Sequence, residues 1–153
     1  MAVPRTLTRV PTQRQVVDYA LRRRALLADV HAGRVAVVDV CDAGTYLLQA
    51  ARFHGEPTEQ ACPVCRKDRL TLVSWVFGDA LRHMAGTARR PDELERLAGV
   101  RGEVTVHVVE VCPSCRWNHL ALSYVLGTGG EPGTGPDGAA RGRARDRRRT
   151  AAE

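Results

Sequence analysis

Two near-identical tetrads, Cys62-Pro63-Val64-Cys65 and Cys112-Pro113-Ser114-Cys115, are the residues of this chain best suited to do chemistry. Two thiols separated by two residues point into one tight turn, and two such turns brought together offer four thiolates to a tetrahedral zinc ion. Proline inside each tetrad fixes φ and stiffens the turn before a metal arrives. The 46 residues between Cys65 and Cys112 exceed the ~15–20 of a compact ribbon and make room for a strand, a short helix and a returning strand. Arg66 and Arg116 stand where glycine often follows such a turn. Structural zinc on Cys62, Cys65, Cys112 and Cys115 is the leading reading. Redox-active dithiols would need a helix N-terminus after a βαβ pattern, which neither tetrad precedes. An iron–sulfur cluster is the remaining use of four thiolates.

A site closed by four thiolates keeps no position for substrate and does not activate water. His54-Gly55-Glu56 before Cys62-x-x-Cys65 superficially matches a zinc-deaminase pattern. Five residues between Glu56 and Cys62 cannot carry the two helices which that pattern needs, and Ala61 stands in the place of its proline. No glycine-rich phosphate loop, paired catalytic carboxylates or nucleophile elbow around Ser74, Ser114 or Ser123 is present, so a non-enzymatic protein is expected. Cys41 lies in an apolar stretch and reads as a buried free thiol. His107 and His119 flank the second tetrad and read as solvent-facing strand residues, while Trp75 and Trp117 read as core or zinc-edge packing.

Charge points to a second kind of chemistry. The chain of 153 residues carries a formal net charge of +6, and all but Lys67 of its 23 basic residues are arginine. Residues 1–34 hold seven arginines against Asp18 and Asp29, a net +5. Arg14, Arg22, Arg23 and Arg24 would give one helix a positive face able to contact phosphates, although a solvated helix face is the plainer role. A second arginine cluster, from Arg141 to Arg149, suits weak nucleic-acid contact or solubility alike. No apolar run approaches the ~20 residues needed to span a bilayer, and Met1–Val10 lacks a signal-peptide core, so no membrane association is expected. Five cysteines without an export signal point to a reducing compartment, the cytoplasm.

The elements that must position the tetrads follow from periodicity and punctuation. Thr12 and Gln15 have the form of a capping box opening a helix from Gln13 to His31, with Val16, Val17, Ala20, Leu21, Leu27 and Val30 as its buried stripe and Gly33 as its stop. Val35–Cys41 suits helix or strand. Asp42 would cap a helix over Ala43–His54 that buries Tyr46, Leu47, Ala50 and Phe53 and stops at Gly55. Gly55-Glu56-Pro57-Thr58 reads as a linker. Strands are expected over Leu70–Phe77, Glu103–Val111 and Trp117–Leu126, with a helix over Pro91–Ala98. Aromatics are only 5% of the chain, so the core must be built from Val, Leu and Ala. The Gly-, Pro- and Arg-rich segment 128–153 reads as a disordered tail. The expected organisation is α+β: a helical segment over 12–55, a zinc-ribbon-like antiparallel sheet with a short helical insertion over 56–127, and the tail.

Val40-Cys41-Asp42-Ala43, Leu47-Leu48-x-Ala50-Ala51, Gly55-Glu56-Pro57, Phe77-Gly78-Asp79 and the two tetrads, the second followed by Trp117-Asn118-His119, carry a resemblance. Over residues 12–127 the chain resembles an actinobacterial family known as domain of unknown function 5318, and its paired turns are similar to zinc ribbons in general. The resemblance implies an actinobacterial origin and zinc binding, and it assigns no activity. By analogy with ribbons of the transcription and translation machinery it raises nucleic acid, or a nucleic-acid-handling protein complex, as the partner. A zinc-dependent binding module is therefore the expected function. A protein-directed adaptor without nucleic-acid contact and a thiol redox protein or sensor are the alternatives.

Overall fold

The computed structural model describes residues 13–129, and its elements run in the order strand β1 (Arg14–Asp18), helices α1 (Ala20–His31), α2 (Val37–Val40) and α3 (Thr45–His54), and strands β2 (Glu56–Ala61) and β3 (Arg69–Phe77). A 3-10 segment over Asp79–Met84, strand β4 (Thr87–Arg89), helix α4 (Pro91–Leu97) and strands β5 (Gly102–Val111) and β6 (Asn118–Gly129) complete it. One antiparallel sheet in the order β1-β6-β5-β3-β2 contains five of the strands, and β4 pairs the far half of β3. The α+β expectation holds. Within the tail segment 128–153, Thr128 and Gly129 end β6, and the rest, like Thr12, lies outside the described residues.

Alternation builds the sheet. Val104, Val106 and Val108 of β5 all point to one face, where Val76, Leu122, Tyr124 and Leu126 join them under Leu81 and Leu94. On the other face Val73, Ala88 and Val111 meet Ala50 and Ala51 of α3 and Ala43 just before it. The core is mostly aliphatic, with Tyr124 and Trp117 as its buried aromatics. A bulge interrupts β6, where Val108 faces Leu122 and Val109 faces Leu120, leaving Ala121 as the extra residue. Its carbonyl accepts the Tyr19 N–H at 3.1 Å and so anchors the start of α1.

Three sequence expectations are corrected. The segment from Gln13 is not helical at its start: Arg14–Asp18 is an edge strand on β6, and α1 begins only at Ala20. β6 would otherwise expose an unpaired edge, and hydrogen bonding to it overrides local helix propensity. Val16, Val17 and Leu21 consequently lie exposed, Leu21 at 74%, while Leu26, Leu27 and Val30 face the core. Glu56-Pro57-Thr58 is not a linker but the opening of β2, tied to β3 through Thr58 Oγ1 donating to the Leu70 carbonyl at 2.7 Å. Tyr46 and Phe53 of α3 are exposed rather than buried, and the helix has no side-chain cap from Asp42, whose Oδ1 instead accepts from Asn118.

Gly33 does end α1 in the left-handed conformation, with Arg34 N–H reaching the Asp29 carbonyl at 2.9 Å in a Schellman arrangement. Gly55 is required for another reason. Its φ of −76° is open to any residue, but a Cβ there would sit 2.2 Å from the Ala51 carbonyl oxygen and 2.4 Å from Thr71 Cγ2. Gly55→Ala is expected to cost about 1–3 kcal/mol by overpacking the junction of α3 and β3, read as a lowered midpoint in urea unfolding.

Candidate metal centre

The topology delivers the two tetrads to one place. Cys62 directly follows β2, and the first turn returns the chain into β3; Cys112 directly follows β5, and the second turn returns it into β6. β3 and β5 are neighbours in register, with Thr71 opposite Val111, so the two turns project side by side from the same end of the sheet. Each turn is closed by its own backbone. Cys62 N–H donates to the Asp68 carbonyl and Cys112 N–H to the Trp117 carbonyl, both at 2.8 Å. Arg66 and Arg116 donate back to the carbonyls of Cys62 and Cys112 at 3.1 and 3.0 Å. Those two arginines hold φ of +57° and +69°, the left-handed conformation that glycine would occupy without strain. Ser114 Oγ donates to Asp68 Oδ2 at 2.9 Å and ties one turn to the other.

The four sulfurs of Cys62, Cys65, Cys112 and Cys115 lie within 4.8 Å of one another, and none of the described cysteines is in a disulfide. Cys62 and Cys115 are 3.6 Å apart and Cys65 and Cys112 3.7 Å. A tetrahedron of sulfurs each about 2.3 Å from one zinc ion has edges of about 3.8 Å. The donor set therefore fits a single tetrahedral ion; thiolates around a cluster of several irons stand further apart. Burial pushes the Cys112 and Cys115 thiols up to about 12, whereas the Lys67 N–H holds Cys65 at about 7. Held neutral, Cys112 and Cys115 are poor nucleophiles, and a bound cation would drive their protons off.

Two residues that sequence reasoning left without a part belong to this end of the molecule. Cys41 Sγ lies 3.8 Å from Cys115 Sγ, a fifth sulfur at the edge of the centre. Glu110 is buried at 2% exposure beneath it, accepting from Arg23 Nε at 2.5 Å and from Trp117 Nε1 at 2.9 Å. A signal for Glu110 was available, because it continues the buried alternation of Val104, Val106 and Val108. Nothing local in the sequence ties Cys41 to Cys115, 74 residues away.

The arginines do not form one face. Arg23 turns into the core against Glu110, and Arg14 donates to the Gly127 carbonyl at 3.1 Å and approaches Glu103 at 3.7 Å. Arg22 and Arg24 remain exposed, Arg22 lying 5.6 Å over the Tyr19 ring. Trp117 is the aromatic at the edge of the cysteine centre, fully buried among Val40, Cys62, Leu70 and Cys112. His119 is not solvent-facing as expected: its ring stacks on Trp117 at 5.9 Å, and burial lowers its pKa.

A family model described as Family of unknown function (DUF5318) matches residues 10–140. The chain belongs to that family. Among its relatives are the uncharacterized protein Rv0049 of Mycobacterium tuberculosis strain H37Rv and the uncharacterized protein Mb0050 of Mycobacterium bovis. Each is 55% identical over 138 residues, covering 90% of this chain and all of the relative. No solved structure matches the chain. The DUF5318 resemblance carried by the tetrads and the Val40-Cys41-Asp42-Ala43 stretch thus holds, and the fold gathers Val40, Cys41 and the four tetrad cysteines into one cluster. Among the described residues no helix is long and apolar enough to cross a membrane.

Proposed function

We propose that this protein is a non-enzymatic binding module whose fold is locked by one zinc ion on Cys62, Cys65, Cys112 and Cys115, and that it docks on single-stranded nucleic acid. The closed set of four sulfurs supports the first half. The observation that carries the second is a band of rings across the sheet face that α3 only partly covers. Trp75, His107, Ser123 and Val17 stand opposite one another on β3, β5, β6 and β1. Tyr46 packs on Trp75 with centroids 5.4 Å apart, Phe77 packs on His107 at 5.3 Å, and the Tyr19 hydroxyl lies 3.5 Å from Ser123. Half-exposed rings with Arg22 at their margin suit stacking with unpaired bases, and a net charge of +6 favours a polyanion.

Trp117 is buried and Trp75 half-exposed, so quenching of tryptophan emission by a ligand reports on Trp75. Titration with single-stranded oligonucleotides should quench that emission, with an affinity that falls as salt rises. Trp75→Ala should weaken binding by about 1–3 kcal/mol, roughly fivefold to 150-fold. No binding at low salt, or binding indifferent to salt, removes the nucleic-acid half of the reading. A protein-directed adaptor is the second reading, favoured by the exposure of Leu21, Val37 and Val38. A pull-down that survives nuclease treatment and the Trp75→Ala change selects it.

A further inference from the structure

The fifth sulfur has a position too well defined to be filler. Cys41 ends α2, its N–H donating to the Val37 carbonyl at 2.9 Å. On its other side the chain is clamped to the second cysteine turn twice. Ala43 N–H donates to the Arg116 carbonyl at 3.0 Å, and Asn118 Nδ2 donates to Asp42 Oδ1 at 2.8 Å. The partners of that clamp closely follow Cys115 in sequence, so the same turn backbone holds Cys41 Sγ 3.8 Å from Cys115 Sγ. Val40 and Val35 seat the segment in the apolar cluster that contains Cys62 and Cys112.

Access distinguishes the sulfurs. Cys62 and Cys112 are buried to 0% exposure, whereas Cys65, Cys115 and Cys41 are partly open. A small oxidant therefore meets Cys115 before Cys62 or Cys112. Cys62, the other sulfur near Cys115 at 3.6 Å, is buried and would be held by the same ion; Cys41 is outside the tetrahedral set.

We propose that Cys41 is the resolving thiol of this centre: a peroxide oxidises Cys115, Cys41 closes a disulfide with it, and the zinc ion leaves. The inference rests on the zinc reading above and adds a regulated exit for the ion. In the first step the Cys115 thiolate attacks one peroxide oxygen, the O–O bond breaks, and a sulfenic acid and hydroxide result. Cys41 then gives its proton to that hydroxide, forming water, and its thiolate attacks the Cys115 sulfur. The S–S bond forms, the S–O bond breaks and a second hydroxide departs. Two electrons have passed from the two sulfurs to one peroxide. Cys115 no longer offers a thiolate, and three remaining ligands hold the ion less tightly. A dithiol reductant reverses the disulfide and restores the site.

The test uses the full chain, with its metal content first measured by native mass spectrometry in the reduced state. Absence of one zinc per chain at that stage sinks the zinc reading. With the zinc-loaded protein, hydrogen peroxide at equimolar dose should release the ion to a colorimetric chelator, and peptide mapping should recover Cys41 joined to Cys115. Cys41→Ser should release zinc several-fold more slowly and accumulate sulfinic acid on Cys115. A wild-type map in which every disulfide joins only Cys62, Cys65, Cys112 and Cys115 overturns the proposal, whatever the variant does. So does equal release from wild type and Cys41→Ser.

Discussion

Removing the metal, by a strong chelator or by Cys112→Ser, is expected to unfold the end of the sheet where the two cysteine turns meet. Cys62, Cys112, Leu70 and Trp117 are fully or almost fully buried there in one cluster, and α1 reaches the core mainly through Leu26, Leu27 and Val30 packed against it. Binding of structural zinc to such sites has an apparent free energy of about 10–16 kcal/mol near neutral pH, comparable with the whole ~5–15 kcal/mol stability of a domain. Without the ion, two tight turns with left-handed Arg66 and Arg116 keep their strain and lose the bond that offsets it. Loss of the cooperative melting transition in Cys112→Ser is the expected readout, and a melting temperature equal to wild type contradicts it.

The pH dependence of that stability differs with and without the ion. In the metal-bound protein the four sulfurs are thiolates, so acid competes with the metal and the melting temperature should fall as pH drops. In the metal-free protein burial raises Cys112 and Cys115 from 9.0 to about 12. A group raised in the folded state stabilises below its unfolded value and loses that contribution as pH climbs through the folded one. Any residual metal-free fold should therefore weaken between about pH 9 and pH 12, while Cys65, lowered to about 7 by the Lys67 N–H, contributes stability that is lost as pH falls from about 9 through 7.

The second large effect is expected at Arg23. Its side chain is 14% exposed and pairs with Glu110 at 2% exposure, 2.5 Å from Nε to Oε1. Breaking a buried pair by removing one partner costs about 3–5 kcal/mol, because the remaining charge stays in the interior uncompensated. Arg23→Ala leaves Glu110 with the Trp117 indole as its remaining named donor, directly under the cysteine turns. Denaturant unfolding should show that loss in full, while Arg22→Ala and Arg24→Ala, at exposed positions of the same helix, should change stability by less than about 0.5 kcal/mol. Three equal small effects would contradict the inward placement of Arg23.

Local information reached some parts of this molecule and stopped short of others. The strands Arg69–Phe77, Gly102–Val111 and Asn118–Gly129 were legible because alternation of apolar residues is a property of each segment alone. The helix Pro91–Leu97 was legible from its proline and acidic first turn, and the ligand set from the spacing of two cysteine pairs. The strand Arg14–Asp18 was not, because its state is decided by the free edge of a strand more than 100 residues further on, and no local preference encodes that edge. Gly55-Glu56-Pro57-Thr58 likewise reads as a linker until β3 lies beside it.

The same division runs through the site. Cysteine chemistry and turn length alone determined that four sulfurs can surround one ion, since both cysteines of a tetrad sit within a single turn. Which arginine is buried, that Glu110 receives it, and that Cys41 comes within 3.8 Å of Cys115 were decided only by the tertiary structure. Those contacts join α1, α2 and the second cysteine turn across long stretches of chain. They depend on the packing of whole elements, which no short window of residues contains.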